Sequence, residues 1–261
     1  MVDTWSKGDA DYNMGEEILV SLAQIISRHP WWLARAHIVL EILKSNNVPS
    51  GATILEAGCG WGTNLFALEA AGYDVTGLDI SRQALDMLDK PNRKLVECDL
   101  TKPLPLGTEQ FDAVLALDVL EHLDDDAATV KILGELCKPG GMVIVSVPAR
   151  PELFSEFDDI QGHRRRYLPE TLRKAFVGSG LEPAEVLWWG AWMVPLMSRR
   201  KKPAKAASDR SAAETYKSYL KTPPWPGSAL LKLAFALDEP RTLRGKSKTG
   251  TSLIAIARKP R

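Results

Sequence analysis

The stretch "TILEAGCGWGTNL", Thr53–Leu65, joins a short apolar run to a turn in which three glycines occupy alternate positions. An apolar run of this length, bounded by glycine, predicts a buried strand, and the residues after the last glycine predict the start of a helix. In open parallel sheets, ligands bind beyond the carboxyl ends of the strands, near a strand-to-helix turn such as this one. The stretch therefore predicts a ligand site at one edge of an α/β sheet.

The chain on either side repeats this alternation of strand and helix. Two predicted helices, "MGEEILVSLAQIIS" and "WWLARAHIVLEILK", come first, and the apolar runs "DVTGLDI", "KLVECDL", "FDAVLALDV" and "GMVIVSVPA" then alternate with helical segments. The helix "PETLRKAFVGSG", with Gly180 as its stop, leads to the strand "EPAEVLWWG", and "SLIAIARK" is the last strand. This order predicts a doubly wound parallel sheet.

We predict four segments: an N-terminal helical cap (residues 1–50), a ligand-binding core (51–190), an insert or lid (191–250) and the last core strand (251–261). The insert is too long for a simple connection in a compact domain. Its basic stretch "SRRKKPAKAASDR" predicts a flexible loop, and "GSALLKLAFALDE" predicts a packed or docking helix.

Composition narrows the class of protein. The 261 residues are 45% hydrophobic and contain 33 Lys and Arg against 33 Asp and Glu, so no overall charge attracts nucleic acid or an anionic membrane; "RRKKPAK" is a local exception. Three widely separated cysteines predict reduced, buried thiols. No run reaches the roughly 18 apolar residues of a membrane span, and the polar N-terminus does not resemble a signal peptide, so we predict a cytoplasmic protein.

The glycine turn indicates the kind of ligand. Gly58, Gly60 and Gly62 form G-x-G-x-G, whereas a dinucleotide site would place its last glycine at Thr63. Glu56, at the end of the strand, would repel a pyrophosphate but suits a ligand with an ammonium group.

Two later carboxylates indicate further parts of the predicted ligand. Asp79 ends the second strand, the place from which a carboxylate accepts hydrogen bonds from ribose hydroxyls. Asp99 follows the third strand and could accept from an exocyclic amine such as that of adenine. An amino-acid end, a ribose and an adenine together describe S-adenosyl-L-methionine.

The motifs "ILEAGCGWG", "GLDIS", "CDL", "FDAVLALDVLEHL" and "LCKPGGMVIVSVP" resemble, in order and spacing, those of class I S-adenosylmethionine-dependent methyltransferases. The resemblance covers roughly Trp31 to Trp189 and the final strand. It implies a Rossmann-like, doubly wound, seven-stranded sheet whose last strand inserts antiparallel. It also implies a donor site, left with S-adenosyl-L-homocysteine after transfer, made by Glu56, Gly58, Cys59, Gly60, Gly62, Asp79, Ile80, Asp99, Leu100, Asp118 and Arg35.

Two histidines are the candidate catalytic residues. His122 follows the fourth strand beside the expected methyl site, where a neutral imidazole could take a proton, although it could equally cap or pack a helix start. His163 belongs to "DDIQGHRRRYLPETL", which resembles an H-x-R-R-Y signature of a bacterial branch of the superfamily. The segment around His122 resembles ubiquinone-pathway O-methyltransferases, which can place a divalent metal on a set corresponding to Asp118, Glu121 and His122; we assign no metal.

The acceptor site is predicted around the same region. Arg165 or Arg166 could orient an anionic acceptor, or these arginines could pair with nearby acids, namely Asp158, Asp159 and Glu170, to hold the loop closed.

Tyr167, Trp192 and Met193 complete the predicted acceptor pocket, and Trp188 is predicted to be core. The run "LWWGAWM", with "RRKK" just after it, also leaves a peripheral membrane contact open.

The sequence therefore predicts an S-adenosylmethionine-dependent methyltransferase of a small or amphipathic acceptor, with O-methylation favoured over N-methylation. The alternatives are a catalytically inactive donor-binding partner or regulatory protein and, against the charge balance, a nucleic-acid methyltransferase. The sequence does not predict the oligomeric state.

Overall fold

The computed structural model describes residues 2–7, 22–102, 104, 108–199 and 212–261. Within this part of the chain, a single eight-stranded sheet has the order β1-β4-β3-β2-β5-β6-β8-β7. Strands β1 to β6 run parallel, and β8 lies antiparallel between β6 and β7. The strands are β1 (Asp3–Thr4), β2 (Thr53–Ala57), β3 (Asp74–Asp79), β4 (Lys94–Glu97), β5 (Phe111–Leu117), β6 (Cys137–Pro148), β7 (Glu185–Trp189) and β8 (Ser252–Arg258).

The predicted doubly wound sheet and the antiparallel insertion of its last strand are confirmed. The eighth strand was not predicted: Asp3 and Thr4 pair with the edge strand β4, and the Trp5 amide donates to the Glu97 carbonyl at 2.9 Å. An edge strand leaves backbone groups unpaired, and residues 2–7 satisfy those of β4.

Helices cover both faces of the sheet. A further helical segment, residues 22–26, belongs to the first predicted helix, whose earlier residues lie outside the described ones. The helices are α1 (Pro30–Ser45), α2 (Thr63–Ala70), α3 (Arg82–Leu88), α4 (Asp126–Leu136), α5 (Glu156–Gln161), α6 (Pro169–Ala175), α7 (Val194–Ser198), α8 (Ala212–Tyr219) and α9 (Gly227–Leu243), with 3₁₀ turns at Leu120–His122, Pro151–Leu153 and Ala191–Met193.

The prediction of a helix ending at Gly180 is wrong in its length. Helix α6 ends at Ala175, because Gly178 already adopts a left-handed φ of 78° and turns the chain before Gly180 is reached. Most of the basic stretch predicted as a flexible loop, residues 200–210, lies outside the described residues.

Three apolar clusters hold these layers together. One packs α4 and α6 on one face of the sheet, through residues such as Val130 and Leu172, and another packs α1, α2, α3 and α9 on the opposite face. The third joins segment 22–26, α1 and α8 through Leu22, Trp32 and Tyr216, and contacts Trp61 of the glycine turn. Since that turn follows β2, the third cluster forms a cap at the carboxyl ends of the strands.

Two predictions from composition can be compared with this fold. All three cysteines are buried and free, as predicted. Among the described helices, none combines the length and the apolar character needed to cross a bilayer.

Candidate functional site

A cavity of about 570 Å³ lies at the carboxyl ends of β2, β3 and β5, beneath the cap. Its size falls within the roughly 300–1,000 Å³ typical of small-molecule sites. The strand ends contribute Gly58, Asp79 and Asp118, and residues of α1 and of the insert close the other side. The cavity therefore lies where the sequence predicted a ligand.

The glycine turn brings backbone up to the wall of this cavity. Gly58, Gly60 and Gly62 have φ values of 76°, 45° and 73°, a region that side chains other than glycine rarely adopt. A Cβ on Gly58 would meet Val119 Cγ2 at 2.5 Å, whereas one on Gly60 would have nothing within 4 Å. A Cβ on Gly62 would meet Leu88 Cδ2 at 2.8 Å, so the turn needs glycine for its conformation at all three positions and for space at Gly58 and Gly62.

Asp79 fixes the turn from the neighbouring strand. Its Oδ2 accepts from the Gly60 amide at 2.7 Å, and its Oδ1 accepts from the Ser81 amide at 2.9 Å. Asp79, Ile80 and Cys59 line the cavity. One carboxylate therefore organises two strand-to-helix turns at the same wall.

The third predicted carboxylate lies on an adjoining wall. Asp99 Oδ1 accepts from the Thr101 amide at 2.9 Å and from the Thr101 hydroxyl at 2.7 Å, and its own amide donates to Ser6 Oγ at 2.8 Å. Leu100 is buried beside it, and both residues line the cavity. The N-terminal residues 2–7 thus support this wall.

Glu56 lies beneath the glycine turn and does not line the cavity; neither does Gly62. Glu56 is completely buried, and burial raises its pKa to about 7 against the opposing hydrogen bond from Asn64. Asn64 Nδ2 donates to Glu56 Oε1 at 2.8 Å. Any ammonium group in the cavity would therefore meet Asn64 before Glu56.

Asn64 and Thr63 are site residues that sequence reasoning missed. Both line the cavity, and Asn64 Oδ1 and Thr63 Oγ1 are buried without a hydrogen-bond partner among the described residues. Their position was the available signal, since the first helical residues after a glycine turn face the ligand in this type of site.

Arg35 and Asp118 form a buried ion pair in the cavity wall, between Arg35 Nη1 and Asp118 Oδ2. Asp118 has a left-handed φ of 59°, and its Oδ1 accepts from Ser146 Oγ at 3.0 Å. The Arg35 guanidinium lies 4.9 Å from the Trp31 ring centroid, and its Nε has no hydrogen-bond partner among the described residues. Arg35 therefore reaches the cavity while its charge is balanced.

The two candidate catalytic histidines lie against one another, with ring centroids 4.9 Å apart in an edge-to-face arrangement, and both line the cavity. His163 Nδ1 donates to Asp158 Oδ1 at 3.0 Å, because a carboxylate can only accept. Burial, and then the proximity of His163, lower the pKa of His122 to about 3. His122 is therefore neutral at neutral pH.

Asp158 also binds Arg166, whose Nε lies 2.8 Å from the same Oδ1. Burial opposes the ionised form, but the hydrogen bond from His163 and the charge of Arg166 outweigh it, so the pKa of Asp158 lies below its usual value. In the neutral imidazole of His163, the hydrogen bond to an ionised Asp158 keeps the proton on Nδ1 and the lone pair on Nε2.

Glu121 is the least satisfied group of the site. It is completely buried, lines the cavity, and neither carboxylate oxygen has a hydrogen-bond partner among the described residues. Burial and the charge of Asp118 raise its pKa well above the usual value. Its Oε1 lies 3.9 Å from His163 Nε2. Candidate metal-ligand atoms of Glu121, His122 and His163 lie within 4.8 Å of one another. Asp118, which belongs to the metal set that the resemblance implies, instead pairs with Arg35.

The predicted acceptor residues Arg165, Arg166 and Tyr167 differ in placement. Arg166 is buried, lines the cavity and pairs with Asp158, one of the acids foreseen as its alternative partner. Arg165 and Tyr167 do not line the cavity: Arg165 lies 3.5 Å from Asp126, and the Tyr167 hydroxyl donates to Asp126 Oδ2 at 2.8 Å. Their predicted contact with an acceptor remains a prediction that these contacts do not favour.

Part of the cavity wall is aromatic. Trp192 and Met193 line it, their contact with an acceptor stays a prediction, and Trp192 Nε1 is a buried donor without a partner among the described residues. Trp189 is completely buried, and Trp188 packs against the core. Several further aromatic residues that sequence reasoning did not single out line the cavity: Trp31, Trp61, Phe157, Tyr216 and Phe235.

The family model and the similar proteins are all methyltransferases. A family model described as a methyltransferase domain matches residues 33–186. Ubiquinone biosynthesis O-methyltransferases are among the similar proteins: that of Aromatoleum aromaticum is 29% identical over 133 residues, 45% of this chain and 57% of the relative. That of Bordetella bronchiseptica is 35% identical over 104 residues, 37% of this chain and 43% of the relative. The alignments thus span about half the length of these curated relatives.

Solved structures support the same fold. A chain from the complex with the Trm112 methyltransferase activator of Haloferax volcanii has a TM-score of 0.57 at 20% identity, covering 93% of this chain and 98% of that one. Phosphoethanolamine N-methyltransferase 2 of Haemonchus contortus, in complex with S-adenosyl-L-methionine, has a TM-score of 0.55 at 20% identity, covering 85% of this chain and 52% of that one. At these identities the likeness concerns the fold alone.

Proposed function

The chain belongs to the class I S-adenosylmethionine-dependent methyltransferase family, and we propose that it transfers the methyl group of S-adenosyl-L-methionine to a hydroxyl oxygen of a small or amphipathic acceptor. The observation that carries this proposal is the set of cavity-lining groups at three successive strand ends. The glycine turn, Asp79 and Asp99 follow β2, β3 and β4 and share one cavity.

The polar groups of this cavity fit the donor. Asp79 and Ile80 would bind the ribose, and Asp99 and Leu100 the adenine, because carboxylate oxygens accept from hydroxyl and amino groups. Arg35 would bind the donor's carboxylate, and the unpartnered Asn64 Oδ1 would accept from its ammonium group. Asn64 Oδ1 and Arg35 Nε, two of the buried unpartnered atoms of the cavity, thus have complementary partners in an amino-acid moiety.

The donor supplies an electrophilic methyl carbon on a sulfonium sulfur, so the protein's main task is alignment. Holding two reactants in line can account for roughly 7 to 11 kcal/mol of a barrier. Here the acceptor would lie between the strand ends and the aromatic wall, with Trp192 Nε1 donating to it.

A hydroxyl must also lose its proton, and His163 is placed to take it. Its Nδ1 is held by Asp158, so the lone pair of the neutral imidazole lies on Nε2, and a base of this kind adds a factor of roughly 10² to 10⁴. His122, with its pKa lowered to about 3, is a weaker base and would pack against His163. This basic group beside the acceptor position favours oxygen over a nitrogen that already has a free lone pair.

The first experiment is calorimetric titration of the protein with S-adenosyl-L-methionine and S-adenosyl-L-homocysteine. Asp79→Ala should weaken binding by about 100-fold or more, since hydrogen bonds to a charged group contribute about 1.5–3 kcal/mol each. Asp74→Ala is the matched control, because Asp74 lies at the other end of β3, is exposed, and pairs with Lys94. Absence of binding by the folded wild type would contradict the proposal.

A second experiment tests turnover with a radiolabelled methyl donor and two probes, an alkylated phenol and an alkylated amine. Transfer to the phenol in preference to the amine is the expected result. Donor binding without transfer to either probe would instead support the inactive donor-binding protein that the sequence leaves open.

A further inference from the structure

Helix α9 carries an apolar stripe that faces solvent. Leu230, Leu233 and Leu237 are 62%, 53% and 65% exposed, and their spacing of three and four residues places them on one side of the helix. Trp225, just before the helix, is 82% exposed. Single exposed apolar residues are ordinary, but four within 13 residues of one element form a surface.

This stripe faces outward because the opposite side of α9 is fixed to the core. Phe235, Asp238 and Thr242 are buried, and Asp238 Oδ2 accepts from the Gly190 amide at 2.8 Å. Glu239 accepts from His37 of α1 at 2.9 Å. The helix therefore has two apolar sides, of which one packs against α1 and β7 and the other has no covering element among the described residues.

The insert that carries this stripe is strongly basic. Residues 191–250 contain 13 Lys and Arg against four Asp and Glu, a net charge of +9 in a chain whose total is zero. Lys232 and Arg241 lie on α9 itself and are exposed, and Lys221 lies just before Trp225. Positive charge is thus concentrated on the segment that also exposes leucine and tryptophan.

We propose that α9 and Trp225 dock the protein on an anionic lipid surface. Leucines and tryptophan on one side of a helix insert into the headgroup boundary, while lysine and arginine around them attract anionic headgroups. A second copy of the chain fits less well, because it would bring two inserts of charge +9 together.

Residues of the same insert line the cavity. Leu196, Lys221 and Leu231 of the insert line the cavity, and Leu196 is 56% exposed. A docked protein would therefore open its acceptor pocket toward the lipid. The docked protein would then take its acceptor from the lipid, which means an acceptor with an apolar body that partitions into the bilayer. This part of the inference rests on the proposed function.

The test is flotation of the full chain with phosphatidylcholine vesicles, prepared with and without phosphatidylglycerol, at low and high salt. The wild type should float with the anionic vesicles, should not float with the neutral ones, and should be released by salt. The variant Leu233→Glu with Leu237→Glu should lose at least tenfold in partitioning. Val177→Glu, at a residue that is 79% exposed outside the insert, is the control and should float as the wild type does.

Circular dichroism and donor titration of the same samples show that the variants fold. Equal flotation of the leucine variant and the wild type would overturn the proposal. A leucine-dependent dimer in light scattering, without flotation, would overturn it in favour of a second copy. Flotation retained by a protein that binds no donor would leave the docking surface standing while contradicting the proposed function.

Discussion

The donor half and the acceptor half of the cavity are built in different ways. Apart from Arg35 and its partner Asp118, the donor half comes from one continuous stretch, Gly58 to Leu100, in which successive strand ends present backbone turns and carboxylates. The acceptor half combines α1, the Leu120–His122 turn, the His163 loop and the insert, which are separated by as many as 200 residues. The parallel strands end side by side at the sheet edge, and this arrangement positions the donor half. The acceptor half depends on side chains from distant segments that meet only after folding.

The two halves also differ in how their polar groups are satisfied. Asp79 accepts from two backbone amides, so the donor wall is organised before any ligand arrives. Glu121 and Trp192 Nε1 are buried without hydrogen-bond partners among the described residues. Asn64 Oδ1 and Thr63 Oγ1 of the donor half are unpartnered as well, and because an unpaired buried polar group costs about 1–3 kcal/mol, both halves gain when they are filled. Substitutions should therefore separate binding of the donor from use of the acceptor.

The largest expected effect concerns His163. We predict that His163→Ala lowers kcat for the alkylated phenol by about 10² to 10⁴ while leaving donor affinity unchanged, since the base acts only on the acceptor. His37→Ala is the control, because His37 is exposed and pairs with Glu239. Added imidazole should restore part of the rate. An equal loss of donor affinity would show that the two halves are not separable at this residue.

The donor half should respond to backbone geometry instead. Gly58→Ala should reduce the free energy of unfolding by about 3 kcal/mol, because a left-handed conformation costs roughly 1–2 kcal/mol and a new methyl group in a packed site adds a similar amount. Gly51→Ala is the matched control: its φ is 80°, but its Cβ would meet nothing within 4 Å. Chemical denaturation measures the free energy of unfolding of both variants. If both substitutions lowered it equally, the structure would accommodate the contact between the new methyl group and Val119 without cost.

The contrast between the two halves also explains which site residues could be predicted from the sequence. Asp79 and Asp99 were predicted to lie at successive strand ends because the period of strand and helix fixes where each strand stops. Asn64 was missed, although it starts the helix after the glycine turn, because Glu56 at the strand end was the polar group predicted to face the ligand, whereas Glu56 lies behind Asn64. Tyr216 reaches the site only because α8 packs under α5, a long-range contact with no local signature.

The eighth strand and Arg165 show the same limit. Two residues suffice for β1, too few for any alternation to be visible. Arg165 and Arg166 are adjacent and chemically identical, yet one lines the cavity and the other does not. Their difference depends on the path of the loop, which the acids around them do not specify.

Glu56 gives a prediction with a defined pH range. Burial raises its pKa from an ordinary value of 4.5 to about 7 in the folded protein, so the folded state favours the protonated form. The contribution of Glu56 to the free energy of unfolding is fully present below pH 4.5 and is lost as the pH rises through 7. Relative to Glu56→Gln, the free energy of unfolding of the wild type should therefore fall by about 3 kcal/mol across that range.

Glu69 is the contrasting control for this measurement. The hydrogen bond from Arg93 lowers the pKa of Glu69, so its contribution is present above the unfolded pKa and is lost on acidification. Glu69→Gln should consequently change the pH dependence in the opposite direction. If denaturation across pH gave the same sign for both variants, burial would not be the cause at Glu56.

The smallest expected effect tests whether the aromatic wall recognises the acceptor by shape alone. Trp192→Phe keeps an aromatic ring near Phe235, whose centroid lies 5.0 Å away, but removes the unpartnered Nε1 donor. We predict that KM for the alkylated phenol rises about tenfold, the value of one hydrogen bond, with donor affinity unchanged. Trp188→Phe, at a residue that packs against the core and does not line the cavity, should leave KM unchanged. An unchanged KM for Trp192→Phe would mean that the acceptor half binds by apolar contact alone, and its specificity would then depend on Glu121 and the histidines.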